Sequence, residues 1–210
     1  MKTSISITKV KGSRVGAIID LIHSDTDFIH IDMMDGIFVD NKQLLSDEVL
    51  SLTRGISKKL DIHMMIADPI PYIRELQELD NINNITIHEE IGNTDYYIDC
   101  IHELGLKAGV AINPDTSVDR LLPFLDNLDI VLIMGVYPGK GGQSLIEDTV
   151  KKIKQLVDLR DKFGLSYDIE FDGGVNGDNK KLLKGLDIVV SGSYVCLSDD
   201  MQEKIDILRW

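Results

Sequence analysis

Residues 28–36 read Phe-Ile-His-Ile-Asp-Met-Met-Asp-Gly, an apolar run with two ionisable residues set into it at alternate positions and a glycine at its end. The β-branched and apolar residues predict a strand, and its period of two puts His30 and Asp32 on one face. A strand covered on both sides is expected to be apolar throughout. Ionisable groups inside such a strand cost free energy unless they are paired or used.

Similar short runs recur along the chain. Strands are predicted at 4–8, 28–33, 60–65, 85–88, 108–112, 130–134, 168–171 and 188–190, with helical patterns between them at 71–79, 96–104, 118–125 and 144–163. In the last of these Leu145, Ile146, Thr149, Val150, Ile153, Leu156, Val157 and Arg160 form a stripe at helical spacing. Strands alternating with helices imply a parallel sheet reached by crossovers. Eight such units in 210 residues predict an α/β fold, a (β/α)8 TIM barrel occupying 1–210 as a single domain. An open doubly wound sheet usually needs only five or six units.

The formal charge of −13 argues against nucleic acid or an anionic membrane as a partner, since both polyanions are repelled. It does not exclude a small anion bound by backbone amides. No long apolar segment and no leader-like start is read from the sequence, and Cys100 and Cys196 lie in no metal or redox spacing, so a cytoplasmic protein with free thiols is expected.

Two further strands repeat the polar ending of 28–36. Leu60-Asp61-Ile62-His63-Met64-Met65 carries His63, and Ile169-Glu170-Phe171-Asp172-Gly173-Gly174 carries Asp172 at its tip. The C-terminal strand ends of a barrel share one mouth, so His30, Asp32, His63 and Asp172 should converge there. Two imidazoles and two carboxylates suit one divalent metal ion, whether Zn, Fe(II), Mn or Co. Glycine-rich loops follow three successive strands: Tyr137-Pro138-Gly139-Lys140-Gly141-Gly142-Gln143, Gly173-Gly174 and Gly192-Ser193. Glycine lets the backbone approach a ligand closely, and a helix start behind such a loop presents N–H groups to phosphate. His88, ending the fourth strand, is read as a supporting or structural group, and His23 and His102 as surface residues.

The segments His30–Val39, Asp61–Met65, Gly139–Gln143 and Asp172-Gly173-Gly174-Val175-Asn176 resemble the signatures of the ribulose-phosphate 3-epimerase family, in the family's order across about 4–193. The early segment and 159–176 are similar to its allulose-6-phosphate 3-epimerase branch. The resemblance implies a metal-dependent barrel acting on a phosphorylated ketose and assembling as a homo-oligomer, a dimer or hexamer. It implies that His30, Asp32, His63 and Asp172 hold the metal and that Asp32 and Asp172 transfer protons at C3. It places Met34, Met65 and Met134 around the reacting carbons. Ser6 (with Ser4 close by), His63, Gly139, Lys140, Gly141, Gly142, Asp172, Gly173, Gly174, Gly192 and Ser193 would line the substrate site.

The chain also departs from the family pattern. Lys140 stands where phenylalanine is common, Gly135 and Tyr137 replace small hydroxyl and polar residues, and Asp40 replaces a proline. The segment 42–52 lacks the usual Gly-Pro turn. Lys140 is read as solvated rather than as a phosphate contact. Two other readings compete with an epimerase. A barrel that binds a sugar phosphate without turnover is one. The other, a 3-keto-gulonate-6-phosphate decarboxylase, resembles Asp-x-Lys-x-x-Asp, and His63 stands where that pattern needs lysine.

Overall fold

The computed structural model describes residues 1–209. Its nine strands are β1 (Lys2–Ser6), β2 (Phe28–Asp35), β3 (Lys42–Gln43), β4 (Lys59–Met65), β5 (Ile82–His88), β6 (Lys107–Ile112), β7 (Ile130–Met134), β8 (Asp168–Asp172) and β9 (Ile188–Ser191). The helices are α1 (Arg14–His23), α2 (Ser46–Thr53), α3 (Ile70–Leu76), α4 (Thr94–Glu103), α5 (Lys151–Phe163), α6 (Ser193–Cys196) and α7 (Met201–Leu208). Eight strands run parallel, and β1 pairs with both β9 and β2, so the sheet closes on itself. The fold is a (β/α)8 barrel. The short β3 is an antiparallel addition, pairing Gln43 with Met34 and Lys42 with Asp35.

Alternation along the strands divides the interior into two zones. Ile29, Ile31 and Met33 of β2, like Leu60, Ile62 and Met64 of β4, belong to the large apolar cluster that also contains Ile18, Leu21, Ile73, Ile98 and Leu156 of the helices. Residues of the opposite parity fill the barrel itself. Phe28, Ile130 and Ile188 form a separate apolar cluster at the strand beginnings. On β2, His30 and then Asp32 follow Phe28 at alternate positions and lead to Met34; on β8, Glu170 precedes Asp172, which pairs with Met134 of β7. Strand pairing sets His30 against Asp61 and Asp32 against His63. The apolar end closes the barrel, and the ionisable layers climb toward the mouth.

Two helical expectations are corrected. The stretch 118–125 forms two 3-10 turns, Val118–Leu121 and Leu125–Asn127, in place of a helix. Pro123 has no N–H to donate back to Asp119, so the i→i−4 ladder of an α-helix is interrupted there. The helix expected at 144–163 begins only at Lys151, after a 3-10 turn at Glu147–Val150. Ile146 is extended and its N–H donates to Gly135 O at 2.8 Å, so a tertiary bond to the end of β7 outweighs the helical stripe. The connection from β8 to β9 likewise carries only the 3-10 turn Lys180–Leu182.

Candidate active site

The four residues expected to converge do so. His30, Asp32, His63 and Asp172 each present a ligand-type atom, and these atoms all lie within 4.8 Å of one another. Asp32 Oδ1 is 3.3 Å from His30 Nε2 and 3.2 Å from His63 Nδ1, and Asp172 Oδ2 is 3.9 Å from His63 Nδ1. Both imidazoles are fully buried.

The group fits a divalent cation, and the decisive observation is an orphaned atom. His30 Nε2 is buried without a hydrogen-bond partner, while its Nδ1 bonds Asp61 Oδ2 at 2.6 Å. A carboxylate on one ring nitrogen fixes the tautomer and leaves the other nitrogen's lone pair free for a metal. Asp61 is itself held by Ser4 Oγ at 2.6 Å and Asn84 Nδ2 at 2.7 Å. His63 is oriented by a second chain. Its Nε2 lies 2.8 Å from His88 Nε2, and His88 Nδ1 lies 3.0 Å from Glu90 Oε2. With the His63 Nδ1 lone pair turned to the cluster, His63 Nε2–H donates to His88, and His88 Nδ1–H donates to Glu90.

Charge in this layer is strongly polarised. Burial alone favours a neutral Asp32, but His30 and His63 beside it more than offset that and hold its carboxyl well below the usual range. Burial, reinforced by the Asp32 charge, pushes Asp172 up to about 7. Burial disfavours a charged His30, yet Asp61 and Asp32 on its two sides raise it well above the usual imidazole value. Burial lowers His88 to about 4, keeping it neutral as its place in the chain requires. Glu170, with neither oxygen hydrogen-bonded, is raised well above its usual value by burial and the nearby Asp61 charge.

Above this layer opens a cleft of about 520 Å³, lined by Ser6, Thr8, Lys9, Asp32, Met34, Met65, Met134, residues 136–143, Asp172, Gly173, Gly192 and Ser193. Ser6, the three methionines, Gly139, Lys140, Gly141, Gly142, Gly173, Gly192 and Ser193 therefore stand where substrate access was expected. His30 and His63 lie beneath this lining, and Gly174 faces an adjoining cleft with Ser144, Leu145 and Asn179. Ser6 is the serine at the site: its Oγ donates to Asp32 Oδ2 at 2.6 Å, whereas Ser4 serves Asp61. Gly139 and Gly173, with φ of 103° and 118°, need glycine's conformational freedom. The glycine loops do not lead straight into long helices, because α5 starts well past Gly142.

Sequence reasoning passed over Thr8, Lys9, Asp61, Glu170 and Glu90. Thr8 Oγ1 donates to Asp32 Oδ2 at 2.6 Å, a contact no motif signals. Asp61 and Glu170 carried a usable signal, since each sits two residues before a member of the cluster on the same inward face. One departure from the family pattern finds its cause. A side chain at Gly135 would begin 2.3 Å from Phe171 Cε1, so the ring of Phe171 occupies the space a hydroxyl residue would need.

The sequence matches the ribulose-phosphate 3 epimerase family over residues 2–196. A ribulose-phosphate 3-epimerase of Synechocystis is 36% identical over 97% of this chain and 91% of its own length. That of Bacillus subtilis is 36% identical over 90% of this chain and 89% of its own. Among solved structures, a tryptophan synthase alpha-subunit from Pyrococcus furiosus aligns with a TM-score of 0.70 at 15% identity, covering 99% of this chain and 97% of that one. KGPDC from Streptococcus mutans aligns at 0.68 and 12% identity, covering 99% and 94%. These two likenesses speak for the barrel alone, whereas the sequence match places the chain in the ribulose-phosphate 3-epimerase family.

Proposed function

We propose that this protein interconverts ribulose 5-phosphate and its C3 epimer, xylulose 5-phosphate, as a metal-dependent isomerase. The observation that carries the reading is the meeting of Asp32 and Asp172 with two imidazoles at the floor of the cleft. Inversion at C3 removes a proton beside the C2 carbonyl and returns one to the opposite face. Asp32, held ionised by its two histidines, accepts the proton in one direction. Asp172, projecting from a different strand at the mouth, is placed to return a proton to the opposite face of C3. In the reverse direction the two exchange roles. A bound Zn, Fe(II), Mn or Co ion supplies Lewis acidity for the negative charge that develops on the substrate oxygens. His30 Nε2, Asp32, His63 Nδ1 and Asp172 are the groups to hold it. Ser6 and Thr8 orient the Asp32 carboxylate through its other oxygen. Met34, Met65 and Met134 give the reacting carbons a polarisable wall with no competing proton donor. The glycine loops take the phosphate end, which anchors the substrate and sets its orientation. Family likeness also supports an assembly of two or six copies, which light scattering checks.

Allulose 6-phosphate epimerisation by the same groups is the second reading, since 159–176 is similar to that branch. The test is an epimerase assay on a panel of ketose phosphates, with and without chelator and with metal analysis, alongside solvent-deuterium exchange at C3. Asp32→Asn and Asp172→Asn should each lower turnover by at least about 100-fold with the circular dichroism spectrum unchanged. Near-normal rates in either variant, or no exchange at C3 in the wild type, overturns the reading.

A further inference from the structure

Lys9 lies just beyond the end of β1 and lines the cleft with the glycine loops. Its Nζ is 3.5 Å, and Ser193 Oγ 3.8 Å, from the point where a side chain at Gly142 would begin. Among the described residues the Lys9 ammonium makes no hydrogen bond or ion pair. The acidic and basic side chains lining this cleft are Asp32, Asp172, Lys9 and Lys140, with the Tyr137 phenol beside them. A phosphomonoester dianion entering beside two carboxylates, on a chain of net charge −13, meets an unfavourable field unless a cation stands at its far end.

Of the two lysines, Lys9 is the better anchored to the reacting centre. Ser6 and Thr8, which precede it, both bond Asp32 Oδ2 at 2.6 Å, and Thr8 N donates to Ser6 Oγ at 3.2 Å. The root of Lys9 is thereby tied to the carboxylate that works on C3. Lys140 sits on the outer loop, which packs on Val39 and Asn41 and also borders the neighbouring cleft with Phe38 and Asp40.

We infer that Lys9 is a specificity-determining residue whose ammonium pairs with the substrate phosphate beside Gly142 and Ser193. It thereby selects phosphorylated over free ketoses. The inference rests on the reading of the cleft as a ketose-phosphate site. Its geometry couples two demands: the phosphate at Lys9 and the C3 proton at Asp32 are positioned by one short segment, residues 6–9.

The test compares the metal-loaded wild type with Lys9→Met, Lys9→Arg and Lys140→Met. Two quantities are measured: kcat and KM for ribulose 5-phosphate, and calorimetric binding of inorganic phosphate at two ionic strengths. Loss of one charge-assisted contact should raise both KM and the phosphate Kd by about tenfold in Lys9→Met. The loss should fall chiefly on KM, and phosphate binding should become less salt-dependent. Lys9→Arg should recover most of the affinity, and Lys140→Met should lose less than Lys9→Met. A Lys9→Met enzyme with KM and phosphate affinity within twofold of wild type overturns the inference, as does a loss carried by Lys140→Met instead. Turnover by the wild type with an unchanged Lys9→Met would sink the role of Lys9 and leave the epimerase reading standing. Lys9-dependent phosphate binding with no epimerisation of any ketose phosphate would do the reverse.

Discussion

At His63 a single ring nitrogen has to face the cation, and the residue that decides which one lies two hydrogen bonds away. Glu90 accepts from His88, and His88 accepts from His63 in the arrangement that frees Nδ1. Glu90→Gln weakens that preference without touching the cleft, so cation affinity should fall about tenfold, in the range usual for outer partners of metal-bound histidine. Isothermal titration of the metal-free protein with Mn or Co checks this, and an unchanged affinity rules the chain out as an orienting device. Protons compete for the same atoms. His30 is raised well above its usual value by Asp61 and Asp32 acting against burial, and Asp172 is raised to about 7 by burial and Asp32. Each must lose its proton to serve as a ligand, so raising the pH favours the cation and lowering it favours the protons. Apparent affinity should therefore drop by at least about tenfold per unit as pH falls below 7, with protons released on binding. A flat profile between pH 6 and 8 would contradict this.

Among the elements, the glycine turns show two separate costs of adding a side chain. Gly164 ends α5 at φ 66° with open space where a side chain would begin. Gly164→Ala should cost only the left-handed backbone penalty, about 1 kcal/mol by denaturant titration. At Gly135 the obstacle is steric, because a new carbon meets Phe171 and the carbonyl of Gly173. Gly135→Ser should cost more, roughly 1–3 kcal/mol. Adding Phe171→Val should return part of it, so the double variant loses less than the two single losses together. Strict additivity would mean that the ring is not the obstacle. A separate bond at Gly135 delays α5: the N–H of Ile146 is tied back to the Gly135 carbonyl, and Ile146 stays extended instead of entering the helix that its side-chain pattern favours.

For the whole molecule, the barrel interior is an assembly of buried charge that a bound cation would complete. A ligand held only by the native state stabilises it by about 2.7 kcal/mol when present at 100 times its Kd. For a chain of this size, chelation should then lower Tm by roughly 5–10 °C, read by calorimetry with and without chelator. An unchanged Tm would mean that the layer of His30, Asp32, His63 and Asp172 holds no cation. The barrel was legible in the sequence because eight strand–helix units recur along it, and the convergence of His30, Asp32, His63 and Asp172 because alternate residues of β2, β4 and β8 face one way whatever lies around them. Those ordered contacts are local and repeat from strand to strand, so a linear reading recovers them. The rest depends on groups far apart in the chain. Thr8 reaches Asp32, His88 reaches His63, Ile146 reaches Gly135, and Lys9 reaches the loop of Gly142 only once the sheet has closed. Periodicity carries no record of such meetings, since they are set by strand stagger and loop packing. Sequence alone thus determined the architecture and the atoms offered to a metal, and tertiary structure decided how those atoms are oriented, charged and reached.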